Sequence, residues 1–72
     1  MTATETDILR YFRQYRIGAN EMLFFNSGMS KSQTSKFRNA MASLIDNGLV
    51  IEERRRGAYS LTPRGYDISL SL

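Results

Sequence analysis

The run from Ser30 to Asn47, closed by Gly48, constrains this chain more than any other stretch. At about 100° per residue, Phe37, Ala40, Met41 and Leu44 fall on one stripe with Thr34 and Ile45 at its edge, the pattern of a helix with one face in a core. The opposite side carries Ser32, Ser35, Asn39 and Ala42, all short, and Lys31, Lys36 and Arg38 rim it. A narrow face of short polar groups between cations suits the major groove, about 12 Å wide, where amines reach phosphates on either wall. The same residues also suit a solvated surface helix. The helix alone does not choose between the two.

The domain around it must be small. The chain has 72 residues, which sets the expectation of a single domain over 1–72. With 42% hydrophobic residues and eight aromatics, it carries enough apolar mass for one compact core. It contains neither cysteine nor histidine. Disulfides and zinc-stapled folds are thereby excluded, so stability must come from packing. No carboxylate, serine or lysine constellation suggests catalysis, and the expectation is a protein that is not an enzyme and takes no cofactor. The longest apolar run, Met22 to Phe25, is far too short to span a bilayer, and the polar start lacks a signal peptide's apolar segment. A cytoplasmic location with no membrane partner is expected.

The net charge of +3 is unevenly spread. Residues 1–29 balance to zero, whereas 30–65 carry an excess of +4. The cations therefore gather on the helix at 30–47 and on the segment C-terminal to it, which points to nucleic acid as the partner.

In chain order, Thr4 to Arg16 reads as a first helix. Thr4 and Asp7 have the form of a capping box, and Ile8, Tyr11, Phe12 and Tyr15 form the apolar stripe, with Leu9 at its edge. Ile17 could supply a short edge strand. Asn20 reads as the N-cap of a short second helix through about Phe25, in which one residue of Met22-Leu23-Phe24-Phe25 stays partly exposed and Phe24 or Phe25 could serve a subunit interface. Asn26-Ser27-Gly28 is a turn and Ser30 a cap for the long helix, which together give helix-turn-helix spacing.

Past Gly48, placed to end the helix in a left-handed conformation, Leu49–Glu53 and Ala58–Thr62 read as strands of a hairpin, with Leu49 and Ile51 on one face and Tyr59 and Leu61 likewise. The tip, Arg54 to Gly57, carries three adjacent arginines that bury nothing and repel one another. They suit phosphate contacts, or one guanidinium in a narrow minor groove. Thr62-Pro63 has the form of a helix start, yet Ile68-Ser69-Leu70-Ser71-Leu72 alternates like a strand, and both readings stand.

The order helix, short strand, helix, turn, helix, hairpin resembles the winged helix-turn-helix family, in particular its small bacterial and phage regulators of MarR-like and PadR-like type. Leu44-Ile45-Asp46-Asn47-Gly48-Leu49-Val50 is similar to the family's helix end, and Tyr59-Ser60-Leu61-Thr62-Pro63-Arg64-Gly65 to its wing exit. The resemblance implies an α+β fold: a compact winged helix-turn-helix with a three-helix core, a β-hairpin wing and a short C-terminal segment. It implies double-stranded DNA binding for transcriptional control, as a homodimer on a pseudo-palindromic site, with the helix at about 30–47 in the major groove and the wing at 54–57 on the backbone or minor groove. On that reading Ser32, Gln33, Ser35 and Asn39 face bases, Lys31, Lys36 and Arg38 face phosphates, and Arg54, Arg55 and Arg56 make the wing contacts. Only about ten residues follow the wing, so a dimer would use the tail, the first helix or the Phe24 region. A second reading, from a different class, is a winged-helix module that docks on another protein, such as a phage adaptor or inhibitor of a host protein.

Overall fold

In the computed structural model, residues 1–25 and 31–72 are described, with 31–34 described by their backbone only. The expected Asn26-Ser27-Gly28 turn and Ser30 cap lie outside the described residues. The elements are α1 (Ala3–Gln14), β1 (Met22–Phe24), α2 (Lys31–Asp46), β2 (Val50–Glu52), β3 (Ala58–Leu61) and α3 (Pro63–Leu70). Among the described residues they make an α+β domain of three helices and one antiparallel sheet of order β1-β3-β2.

Helix α1 starts two residues earlier than the Thr4 cap predicts. Thr2 is the N-cap: its hydroxyl accepts from the Glu5 N–H at 3.2 Å, and its own N–H donates to Glu5 Oε1 at 3.1 Å. Two overlapping Thr-x-x-acid sequences compete here, and the longer Glu5 side chain reaches back to the cap and also takes a hydrogen bond from the Ser43 hydroxyl at 3.2 Å. The helix ends at Gln14 rather than Arg16, because Arg16 turns left-handed (φ 55°) while Arg16 N–H and Ile17 N–H return to the Arg13 and Phe12 carbonyls. That is a Schellman closure, and α2 ends the same way: Gly48 (φ 73°) and Leu49 donate to Ile45 and Leu44. Ile17 forms no strand.

The expected helix at Asn20–Phe25 is instead β1. Asn20 adopts a left-handed conformation (φ 66°), which asparagine tolerates, and its N–H bonds the Leu61 carbonyl at 2.7 Å. Four consecutive apolar residues would wrap most of a helix, whereas a strand sorts them by alternation. Leu23 and Phe25 face inward, half-buried, while Met22 and Phe24 face out. Phe25 becomes the hub of an aromatic cluster, with ring centroids 5.1 Å from Tyr11, 5.3 Å from Phe12, 5.4 Å from Phe37 and 5.7 Å from Tyr59. One residue thus ties α1, α2 and β3 together.

The core proper holds Ile8, Leu9 and Phe12 from α1, Ala40, Met41 and Leu44 from α2, and Leu49, Val50 and Leu61. From β2 it is Val50, paired with Leu61, that points inward; Ile51 pairs with Ser60 on the outer face, so the expectation that Ile51 shares the inward side is corrected. Leu49 is buried because it lies beneath α3, before the strand begins. The C-terminal stretch is helical. Thr62 caps it by accepting from Gly65 N–H at 2.9 Å, and Pro63 opens it, so the start signal prevails over the Ile68–Leu72 alternation. Ser69, buried on α3, satisfies its hydroxyl on the Tyr66 carbonyl at 2.7 Å.

Candidate nucleic-acid interface

Helix α2 is 16 residues long. Its inward stripe, Phe37, Ala40, Met41 and Leu44, fixes how it turns, and Ser43 adds the hydrogen bond to Glu5 of α1. That rotation leaves Ser35, Lys36, Arg38, Asn39 and Ala42 exposed. Of the residues that sequence reasoning assigns to this face, Ser35, Lys36, Arg38 and Asn39 are therefore on the surface of one helix. The side chains of Lys31, Ser32 and Gln33 lie outside the described residues. Asp46, four residues past Ala42, ends the same exposed line. Its carboxylate makes the C-terminal end of the face less hospitable to phosphate than the Arg38–Asn39 region, and the i, i+4 spacing from Ala42 is the signal that identifies it.

The hairpin of β2 and β3 carries Arg54, Arg55 and Arg56, all exposed, at its tip. The loop is closed by Glu53 N–H on the Ala58 carbonyl at 3.0 Å and Ala58 N–H on the Arg55 carbonyl at 3.1 Å. Gly57 takes a left-handed turn (φ 81°) and its carbonyl receives the Phe25 N–H at 2.8 Å, so β1 braces the root of the loop. Glu53, next to the arginines in sequence, has its carboxylate on the Ser60 hydroxyl. That bond draws the acid back onto the sheet and away from the tip.

Helix and hairpin meet through Phe37 and Tyr59, whose ring centroids are 6.2 Å apart. Burial first, then the Glu52 carboxylate, raise the Tyr59 hydroxyl's pKa above the ordinary phenol value, while the positive charge of Arg38 opposes them. Arg38 of α2 and Glu52 of β2 therefore both act on Tyr59, where helix and hairpin join. Sequence reasoning did not single out Glu52, and only the strand register brings it opposite Tyr59.

An open cleft of about 520 Å³ lies between the start of α1, the end of α2 and α3. Leu49 and Ile68 line it, as do the Glu5 and Ser43 side chains, which are bonded to each other. Among the described residues no group of three or more acidic side chains gathers to hold a metal ion, and no helix is long and apolar enough to cross a membrane. Set against protein-family models, curated proteins and solved structures, the chain matches none.

Proposed function

We propose that this chain binds double-stranded DNA as a winged-helix regulator of transcription, with α2 in the major groove and the Arg54–Gly57 loop on the backbone or in the adjacent minor groove. The observation that carries the reading is the joint between the two parts. An exposed face of Ser35, Arg38, Asn39 and Ala42 and an arginine-tipped hairpin are locked to one another through Phe37, Phe25 and Tyr59. Base-reading and phosphate-holding groups on one rigid frame are what register on a duplex requires. The hairpin after α2 and the β1-β3-β2 sheet are compatible with the winged-helix reading, while β1 stands where the expected helix-turn-helix has its first helix. On this reading the protein acts as a homodimer and Asn39 reads base edges.

The test is a titration of labelled random-sequence duplex at two ionic strengths, followed by selection from a randomised pool. Affinity should fall steeply with salt, by about 0.9 in log-log slope per phosphate contact. The selected pool should contain half-sites about 10 base pairs apart. Absence of binding at low salt would sink the proposal. The competing reading, a protein-docking module, draws on Met22 and Phe24, which are 46% and 49% exposed beside one another on the outer sheet face.

A further inference from the structure

We propose that the C-terminal end of α1 is a further phosphate-holding surface, where Arg13 and Arg16 grip duplex backbone outside the groove that α2 reads. This rests on the double-stranded DNA reading and adds to it two residues from a helix to which that reading gives no contact.

The N-terminal part of the chain is neutral only by formal count. Its arginines, Arg10, Arg13 and Arg16, are all exposed, whereas two of its three acids are engaged. Glu5 accepts the Thr2 N–H on one oxygen and the Ser43 hydroxyl on the other, and Glu21 is tied to the Gly18 N–H in the loop after α1. Along the helix axis Arg13 stands about 12 Å from Glu5 at 1.5 Å per residue, beyond the screening length of roughly 8 Å at physiological salt. The third acid, exposed Asp7, lies one turn before Arg10 and offsets that arginine. Arg13 and Arg16 are left as the local positive charge.

Arg16 carries the stronger signal. It closes α1 with a φ of 55°, a conformation that glycine adopts freely and arginine only under strain. Backbone strain of this kind gathers where a side chain has a use, and the exposed Arg16 side chain fills no core. The helix dipole favours a cation near the end of α1, but Gln14 or Tyr15 could supply one without strain.

The aromatic hub fixes where this end of α1 lies. Phe25 packs on Tyr11 and Phe12 of α1, on Phe37 of α2 and on Tyr59 of β3, and its N–H bonds the Gly57 carbonyl at the root of the arginine loop. Arg13 and Arg16 follow Phe12 within about one helical turn, Lys36 and Arg38 flank Phe37, and Arg56 adjoins Gly57. Cations from three elements therefore gather at one end of the domain. At the other end of α1 and α2, where Glu5 meets Ser43, the exposed charges are Asp7 and Asp46. Cations spread over three elements suit an extended polyanion, and a duplex offers roughly one charge per 1.7 Å of its axis.

Arg16→Gly is the discriminating variant, because it removes the guanidinium while relieving the strain. It should melt no lower than the parent and still lose about 0.9 from the log-log salt slope of duplex binding, equally on selected and random sequences. Arg13→Gln should lose a similar amount and gives the same reading should Arg16→Gly not fold. Arg10→Gln, whose charge Asp7 already offsets, should keep the parent slope. A parent that binds duplex while Arg13→Gln and Arg16→Gly keep its slope overturns the α1 surface and leaves the DNA reading standing. Equal losses in all three variants overturn it too, since net charge and not position would then govern. A parent that binds no duplex at low salt overturns both.

Discussion

Gly65 rests against the backbone carbonyl of Leu49 so closely that a methyl group at position 65 would overlap that oxygen and crowd Leu61 Cδ1 as well. The carbonyl cannot retreat, because it already accepts from Thr62 N–H at 3.1 Å and from the Thr62 hydroxyl at 3.0 Å. Gly65→Ala in an open helix would stabilise by about 1 kcal/mol. Here the sign should reverse, to a loss of about 2 kcal/mol from overpacking. A urea midpoint that rises in Gly65→Ala would show that α3 can move off Leu49.

Arg16 performs a task usually given to glycine. Its φ of 55° closes α1, and the left-handed conformation is strained for a residue with a Cβ. Arg16→Gly should raise stability by roughly 0.5–1 kcal/mol, the gain in the folded state being partly offset by a freer unfolded chain. Arg16→Val should lower it. Thermal melts of the pair check this, and a fall in both would mean that the arginine side chain contributes more than its backbone costs.

Glu5 should make the fold acid-sensitive. Its carboxyl is held below the ordinary glutamate value, first by the Thr2 backbone N–H, then by the Thr2 hydroxyl, with Ser43 and the N-terminal amine adding to them against the opposing effect of burial. A depressed folded pKa means that the unfolded chain binds the proton more readily. The contribution is whole above about pH 4.5, the unfolded value, and is lost as pH falls through the folded one. Glu5→Gln keeps the shape of the capping box without the titration. It should be less stable than the parent near neutrality and lose less between about pH 5 and 3. Parallel pH profiles would contradict the assignment.

The long elements were legible because one physical requirement dominates each. Burial with a 3.6-residue period marks both α1 and α2, Gly48 marks the end of α2, and the arginines between two short apolar runs mark the hairpin. Met22–Phe25 was not legible as a strand, because an unbroken apolar run satisfies helix and strand periods alike, and only pairing with β3 sorts inward Leu23 and Phe25 from outward Met22 and Phe24. The same long-range pairing turns Ile51 outward and Val50 inward. At Thr2 and Thr4 the competing caps differ by one methylene in the acid, and Glu5 of the cap that forms also takes the Ser43 hydroxyl from a distant helix, a contact that sequence spacing does not show. For the candidate site, which residues of α2 face solvent followed from its apolar stripe, whereas the Glu53–Ser60 bond and the proximity of Arg38 to Tyr59 depend on the register of the sheet.

The proposed DNA contacts divide by what they should do to specificity, and two variants separate them. Arg54, Arg55 and Arg56 are exposed on a loop, and on the proposed reading they hold phosphate, which every sequence offers. Replacing all three with alanine should weaken binding to selected and random duplexes by the same factor and reduce the log-log salt slope by about 0.9 for each phosphate no longer neutralised. Asn39 is exposed in the middle of the α2 face, beside Arg38 and a turn from Ser35 and Ala42. An asparagine there can bond adenine through both its amide groups, so Asn39→Ala should cost about 1–3 kcal/mol at one base pair and leave the salt slope unchanged. Anisotropy titrations of both variants against the selected site and a scrambled one make the comparison. If the arginine variant changed preference and Asn39→Ala did not, the wing would be the reading element and α2 a backbone clamp.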